Sequence, residues 1–271
     1  MPELPEVETT RLGITPGILN QTIKAIEIRQ PGLRWPITGS LAQALPGLAF
    51  QRIDRRGKYL LLSTSEGVLL VHLGMSGSLR LIKGHLPPAK HDHVDILFTN
   101  GLTLRYTDPR RFGCILWIQE PVLSHPLLSK LGPEPLSTEF DGSHLRKLAA
   151  GKQQAVKNFI MDSSVVVGVG NIYANESLFN AGIRPTRPAG KISAARYDKL
   201  SEQIKSVLQN AIKVGGTTLR DFTGSDGKPG YFKQSLNVYG RGGKPCHNCG
   251  ETLTEIRLGQ RSTVYCRNCQ T

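Results

Sequence analysis

The chain has 271 residues, with 34 Lys and Arg against 21 Asp and Glu, a formal charge of +13 and a pI near 9.7. Its 39% hydrophobic and 20% charged residues describe a folded protein rather than a disordered one, no run approaches the ~20 apolar residues of a membrane span, and the start lacks the basic and apolar segments of a signal peptide. What remains is a cytoplasmic protein whose positive surplus favours a polyanion, nucleic acid first, because each neutralised phosphate releases condensed counterions.

The chain opens MPELPEVETT, setting Glu3, Glu6 and Glu8 behind a proline. One reading is a helix start: Pro5 suits the first turn, Glu6 and Glu8 complement the positive end of the helix dipole, and Gly13 ends the segment. A second reading concerns Pro2, which permits removal of Met1 and then carries a free secondary amine. A terminal amine has a pKa of about 8, so a neutral fraction is present at pH 7 and can act as a nucleophile. Attack by a secondary amine on a sugar C1′ gives, after ring opening, an iminium whose permanent charge acidifies the C2′ proton and favours loss of the 3′ phosphate. Glu3, the next residue, is placed to exchange protons with the sugar or the leaving group. The two readings are compatible, with Glu6 and Glu8 structural and Pro2 and Glu3 chemical.

From residue 22 to 119 the segments TIKAIEI, KYLLLSTS, GVLLVHLG, GSLRLI, HVDILFT, LTLRYTD and CILWIQ read as strands between short turns, a sandwich or flattened barrel. Cys114, alone in an apolar stretch, reads as a small core residue. The texture changes at LSHPLLSKLGPEPLST, which places a boundary near 132–140. Helical patterns follow at 144–150, 153–162 and 171–181, and Leu200, Ile204, Val207, Leu208, Ala211 and Ile212 give a longer helix one apolar face. GGTTLRDFTGSDGKPGYFKQ is too polar for core and too long for a simple turn, which makes it a functional loop or a linker.

The last segment holds Cys246 and Cys249, sixteen intervening residues, then Cys266 and Cys269. Four thiolates so spaced close a tetrahedral Zn2+ site, and TLTEIRL and STVYC between them alternate like a hairpin with GQR at its tip. With sulfur at all four positions no coordination site stays open, so one structural zinc is expected, holding the tip and Arg261 in place.

MPELPEVET, RRGKYLL, HLGMSGSLR, KHDHVD, YTDPRRFG, LGPEPL, VVGVGNIYANESLF, GGTTLRDF, SDGKPGYF, VYGR and the two CxxC pairs run in order from residue 2 to 269. As a set they resemble the bacterial formamidopyrimidine-DNA glycosylases. The resemblance implies an α+β multidomain chain: an N-terminal helix and β-sandwich over 1–135, a helix-two-turn-helix domain over 136–235 with a lesion-capping loop at 217–232, and a zinc-finger β-hairpin over 236–271. It implies an enzyme that binds damaged double-stranded DNA, excises oxidised purines and nicks the strand by successive β and δ elimination, chemistry for which a monomer suffices. Pro2 then matches the Schiff-base nucleophile, Glu3 the acid beside it, Lys58 the lysine of β elimination and phosphate contact, and Arg261 the arginine of δ elimination, physically a phosphate clamp first.

Chemistry on a base requires that it leave the stack and that the void be filled. By the same resemblance Phe112 is the wedge, Met75 fills the space and Arg110 bonds the orphaned cytosine. His91, Lys152, Lys157, Asn171, Tyr239 and Arg241 match backbone contacts, and Glu176 and Arg220 belong to the lesion pocket, position 220 being arginine where some relatives have lysine. Two rival readings are an endonuclease VIII type acting on oxidised pyrimidines and a non-catalytic zinc protein that binds damaged duplex. The PELPEVE opening, the PRRF segment and the long loop favour purines, and a processable Pro2 before Glu3 speaks for catalysis.

Overall fold

The structure, a computed structural model, describes residues 2–84, 86–119, 121–216 and 236–271. They fall into two compact units: one runs to Ser129 and takes in Val214–Gly216, and the other holds Lys130–Lys213 and the C-terminal stretch.

In the first unit α1 (Leu4–Ile18) precedes β1 (Ile23–Ile28), a one-turn α2 (Leu41–Ala44), β2 (Arg52–Arg56), β3 (Tyr59–Ser63), β4 (Val68–His72), β5 (Ser78–Lys83), β6 (Asp92–Phe98), β7 (Leu102–Thr107) and β8 (Cys114–Ile118). The strands form two four-stranded antiparallel sheets, ordered β1-β6-β7-β5 and β2-β3-β4-β8. Leu60, Leu62, Leu69 and Val71 of one sheet share a buried core with Leu79, Val94, Ile96 and Leu104 of the other and with Ile14 and Ile18 of α1. This is the expected sandwich with its helix.

The helix does not end at Gly13 as the sequence predicts, but passes through it and Pro16 to Ile18. Burial of Ile14 and Ile18 in the sandwich core outweighs the weak helix preference of the intervening residues. The sequence also hides β2, whose RIDRR composition reads as polar loop. Ile53 alone enters the core, and the strand is an edge of its sheet, where charged side chains are expected. One of those charges, Arg55, ties β2 to α1 by a 2.9 Å ion pair to Glu8, which Arg11 also meets at 2.7 Å. Burial pushes the Glu8 carboxyl up, and hydrogen bonds from Arg11 and Arg55 outweigh it, leaving the group below its ordinary pKa. Glu8 is structural.

The second unit holds α3 (Gly142–Ala149), α4 (Val156–Ile160), α5 (Asn171–Ala181), α6 (Ala194–Lys213), β9 (Thr254–Leu258) and β10 (Arg261–Tyr265). The predicted helix at 153–162 contracts to α4, and α3 begins earlier than expected because Asp141 caps it, accepting the His144 N–H at 2.7 Å. Along α6 the predicted apolar face is buried at Leu200, Ile204, Val207, Leu208 and Ala211, with Ile212 half-buried. Strands β9 and β10 pair antiparallel around a small core of Phe179, Val238, Cys246, Leu253, Val264 and Cys266. No helix among the described residues is long and apolar enough to cross a membrane.

Candidate active site

In the first unit Pro2 and the extended Glu3 lead directly into α1, and both residues are buried. Glu3 is the N-cap. Its N–H donates to Glu6 Oε2 at 2.8 Å, and its own carboxylate closes the reciprocal arm of a capping box on the Glu6 backbone. Glu6 therefore orients Glu3, and the helix N-terminus fixes the chain direction at Pro2. The Glu3 carboxyl is thus held, buried, one residue from Pro2.

Lys58 is placed by a tight turn. Gly57 and Lys58 form the two-residue connection of the β2–β3 hairpin, Gly57 taking φ +56°, so the lysine stands at a tip rather than along a strand. Beside it lies His72, which pairs with Tyr59 across β3 and β4, with ring centroids 4.8 Å apart. Its Nδ1 accepts the Gly74 N–H at 3.0 Å. Burial, then the cations of Lys58 and Arg34, lower its pKa from 6.5 to about 4. The imidazole is thus neutral at physiological pH, with its proton on Nε2. Because the unfolded chain takes up a proton below pH 6.5 and the folded chain does not until about 4, stability falls as pH drops through that interval, by on the order of 3 kcal/mol. His72→Asn, which keeps an acceptor for Gly74, should lose less of its thermal midpoint between pH 7 and pH 4.5 than the parent does. An equal loss in the two proteins would remove His72 from the account.

Met75 and Phe112 are exposed, at 38% and 43%, on two turns that touch. A Cβ on Gly74 would lie 2.4 Å from Gly113 N and 2.5 Å from the Phe112 carbonyl carbon, so only glycine allows the approach. Arg110 is exposed too, its guanidinium carbon 4.7 Å from the Phe112 ring centroid, and Arg111 takes φ +55°. The structure thus brings Met75, Arg110 and Phe112 together as a projecting group. His91 is half-buried just before β6, its ring 6.3 Å from that of His93. Sequence reading passed over Asp108, which is buried beneath these turns; only its place at the head of an Asp-Pro turn hinted at a backbone-bonding role. Cys114 is buried and its thiol is pushed up to about 11 by burial, a core residue as expected.

In the second unit, Gly259 and Gln260 connect β9 to β10 with φ +55° and +60°, the primed turn that matches strand twist, and Arg261 follows it, exposed. Lys157 differs from its expected role. It is fully buried, and its ammonium donates to the Ser262 carbonyl at 2.9 Å and to Thr263 Oγ1 at 2.6 Å. It braces α4 against the hairpin, where a backbone contact to a ligand would need it exposed. Glu176 is also corrected: it is 2% exposed, and its oxygens accept the N–H groups of Asn237, Val238 and Tyr239 at 2.8–2.9 Å. The side chain anchors 237–239 rather than meeting a lesion.

Arg241 is half-buried and turned inward, donating to the Asn237 carbonyl and to the Pro245 carbonyl, the latter at 2.8 Å. Tyr239 is half-exposed on the same turn, Lys152 is exposed beyond α3, and Asn171 is the first residue of α5, following Gly170. Asn175, which sequence reading missed, accepts the Val264 N–H at 3.0 Å and so seats β10 on α5. Arg220 and the loop 217–232 lie outside the described residues.

Among the described residues, Cys246, Cys249, Cys266 and Cys269 form the one group with metal-ligand chemistry, their sulfurs all within 4.8 Å of one another. Cys246 and Cys269 are 4.0 Å apart and Cys249 and Cys266 3.5 Å, close to the ~3.8 Å edge of a tetrahedron with Zn–S bonds of about 2.3 Å. The donor set fits one structural zinc.

Residues 1–115 match the family described as formamidopyrimidine-DNA glycosylase N-terminal domain, 131–223 the formamidopyrimidine-DNA glycosylase H2TH domain, and 243–271 the zinc finger found in FPG and IleRS. The chain is 60% identical over 270 residues to the formamidopyrimidine-DNA glycosylase of Methylococcus capsulatus, covering both proteins in full. Its fold is similar to that of a Lactococcus lactis FPG variant in complex with Fapy-dG-containing DNA, with a TM-score of 0.93 at 34% identity over the whole of both chains. The wild-type Lactococcus lactis protein in complex with DNA containing an oxidised pyrimidine gives 0.92 at the same identity and coverage.

Proposed function

The chain belongs to the formamidopyrimidine-DNA glycosylase family, and from that premise we propose that Pro2 and Glu3 carry a two-stage reaction on oxidised purines in duplex DNA. The protein is a base-excision repair glycosylase with abasic-site lyase activity, and damaged double-stranded DNA is its partner. The observation that supports the residue assignment is the capped helix start: a methionine-processable Pro2 followed by a Glu3 whose backbone and carboxylate are both held by Glu6.

The neutral Pro2 nitrogen attacks C1′ of the everted nucleotide as the C1′–N bond to the base breaks, and a proton delivered to the departing side lets the base leave neutral. Glu3 holds and moves that proton. Sugar ring opening leaves an iminium between Pro2 and C1′, whose charge acidifies C2′. Loss of the C2′ proton expels the 3′ phosphate, and a second elimination expels the 5′ phosphate. Lys58, at its hairpin tip, stabilises the departing phosphate, and Arg261 clamps phosphate from the zinc hairpin, where a delocalised guanidinium is a better anion fork than an acid. Phe112 enters the stack, Met75 fills the emptied space and Arg110 bonds the unpaired cytosine. His91, Lys152, Asn171 and Tyr239 contact the backbone, which positions the duplex without reading its sequence. The enzyme works as a monomer on the nucleoid in the cytoplasm.

The Lactococcus lactis complex with an oxidised pyrimidine favours a second, broader reading, that this protein also accepts pyrimidine lesions. The test of the main assignment is borohydride trapping on a duplex with 8-oxoguanine opposite cytosine, then mass spectrometry of the adducted peptide. The expected adduct sits on Pro2 with Met1 absent; an adduct on any lysine would overturn the nucleophile.

A further inference from the structure

We propose that Asp108 is the positioning residue that locks the Met75 turn and the Arg110–Phe112 turn into one preformed wedge. The proposal rests on the reading of Phe112 and Met75 as intruding side chains.

Asp108 is fully buried, and a buried carboxylate is tolerated only where hydrogen bonds replace the water it has lost. Oδ1 accepts from Ser76 Oγ at 3.0 Å and from Arg110 N–H at 3.2 Å, while Oδ2 accepts from Gly113 N–H at 2.9 Å and from Tyr106 Oη at 3.1 Å. These donors come from three places in the chain: the turn after Met75, the turn that carries Arg110 and Phe112, and the end of β7. The backbone of Asp108 extends the connection, its N–H donating to the His91 carbonyl at 3.0 Å and its carbonyl lying 2.8 Å from His93 Nε2. Tyr106 stays a donor at all working pH, since burial and the charge of Asp108 raise its pKa far above the phenol range.

The exposed tips and the buried base differ in purpose. Met75, Arg110 and Phe112 project into solvent, yet the residues between them are fixed by the carboxylate and by the backbone contact at Gly74. A wedge ordered before it meets DNA loses no further conformational freedom as it enters the stack, so more of its contact energy is available to hold the bases apart.

Asp108→Asn tests this with almost no change of volume. One amide oxygen can serve the donors of one carboxylate oxygen, but the NH2 group must face the others. The hydroxyls of Ser76 and Tyr106 can turn to accept from it, whereas the N–H groups of Arg110 and Gly113 cannot. Whichever way the amide sits, one backbone donor of the Phe112 turn is opposed, and a displacement of order 1 Å lowers activity by roughly 10–100-fold.

The expected result is a loss of that size in single-turnover excision of 8-oxoguanine opposite cytosine in duplex, with less than about threefold change in nicking of an abasic site in single-stranded DNA, where no stack has to open. Ser76→Ala, which frees only the Met75 turn, should give a smaller loss with the same preference for duplex. Phe112→Ala is the reference for the underlying reading. If Phe112→Ala lowers the duplex rate selectively while Asp108→Asn does not, the wedge stands and the role of Asp108 falls. Equal loss on both substrates for Asp108→Asn would mark an ordinary folding residue and also refute the proposal. Should Asp108→Asn fail to fold, an absent or unselective effect of Ser76→Ala overturns it. If Phe112→Ala shows no preference for duplex, the wedge reading fails and the proposal goes with it.

Discussion

Replacing Pro2 by glycine should slow single-turnover strand nicking by roughly 10²-fold, the scale of a lost positioned catalytic group, while leaving affinity for damaged duplex within a few-fold of the parent. Processing still exposes an amine, but a primary one. Its adduct can shed a proton and become a neutral imine, so the permanent charge that drives both eliminations is lost, and glycine also frees a backbone that proline had fixed before α1. Glu3→Gln separates the two stages. It should cost ~10²–10⁴-fold on a lesion whose base must leave as a neutral species, and much less on a preformed abasic site, where no base departs. Binding that declined in parallel with activity in either variant would count against catalytic roles for these residues. In that event the reading of a zinc protein that binds damaged duplex without reacting would regain its place.

Zinc removal should have the second large effect, on binding rather than on chemistry. Among the described residues the hairpin core holds six buried side chains, and two of them, Cys246 and Cys266, are metal ligands. A core that small cannot offset the ordering of its chain without cross-links, whereas a four-sulfur zinc site contributes ~10–16 kcal/mol at neutral pH. Chelation, or Cys249→Ser at the exposed ligand, should therefore release β9, β10 and Arg261 together. The expected readouts are a drop in DNA affinity and a shallower salt dependence, with the slope of log K against log salt falling by about one for each phosphate that the hairpin no longer neutralises. The sandwich, whose core lies wholly in the first unit, should keep its own unfolding transition. Unchanged affinity after verified metal loss would falsify the structural role of zinc.

Where burial imposes a period, the chain was readable in advance. HVDILF and VLLVH fall in strands because β-branched and leucine residues fill a two-sided core, α5 begins at Asn171 as expected, and the cysteine spacing specifies a tetrahedron without reference to the rest of the fold. What stayed hidden had a local signal contradicted by tertiary packing. Gly13 and Pro16 are poor helix formers that Ile14 and Ile18 carry along, and RIDRR is a strand only because β3 lies beside it. The site divides in the same manner. The resemblance gave Lys157 and Glu176 ligand contacts, but a matched position says nothing of the direction of a side chain, and both turn inward to hold backbone. The Asp-Pro turn hinted at the local donors of Asp108, at Arg110 and Gly113, but not at Ser76, which lies 32 residues away.

The complete burial of Lys157 has a consequence for the protein's response to amine chemistry. Acyl donors and other electrophiles that modify surface lysines reach this amine only in molecules whose hairpin has parted from α4. Once acylated, the nitrogen has lost its charge and two of its three protons, and can no longer donate to both Ser262 and Thr263 with the hairpin seated as before. Damage at Lys157 would therefore accumulate in molecules that had already opened and would hold them open.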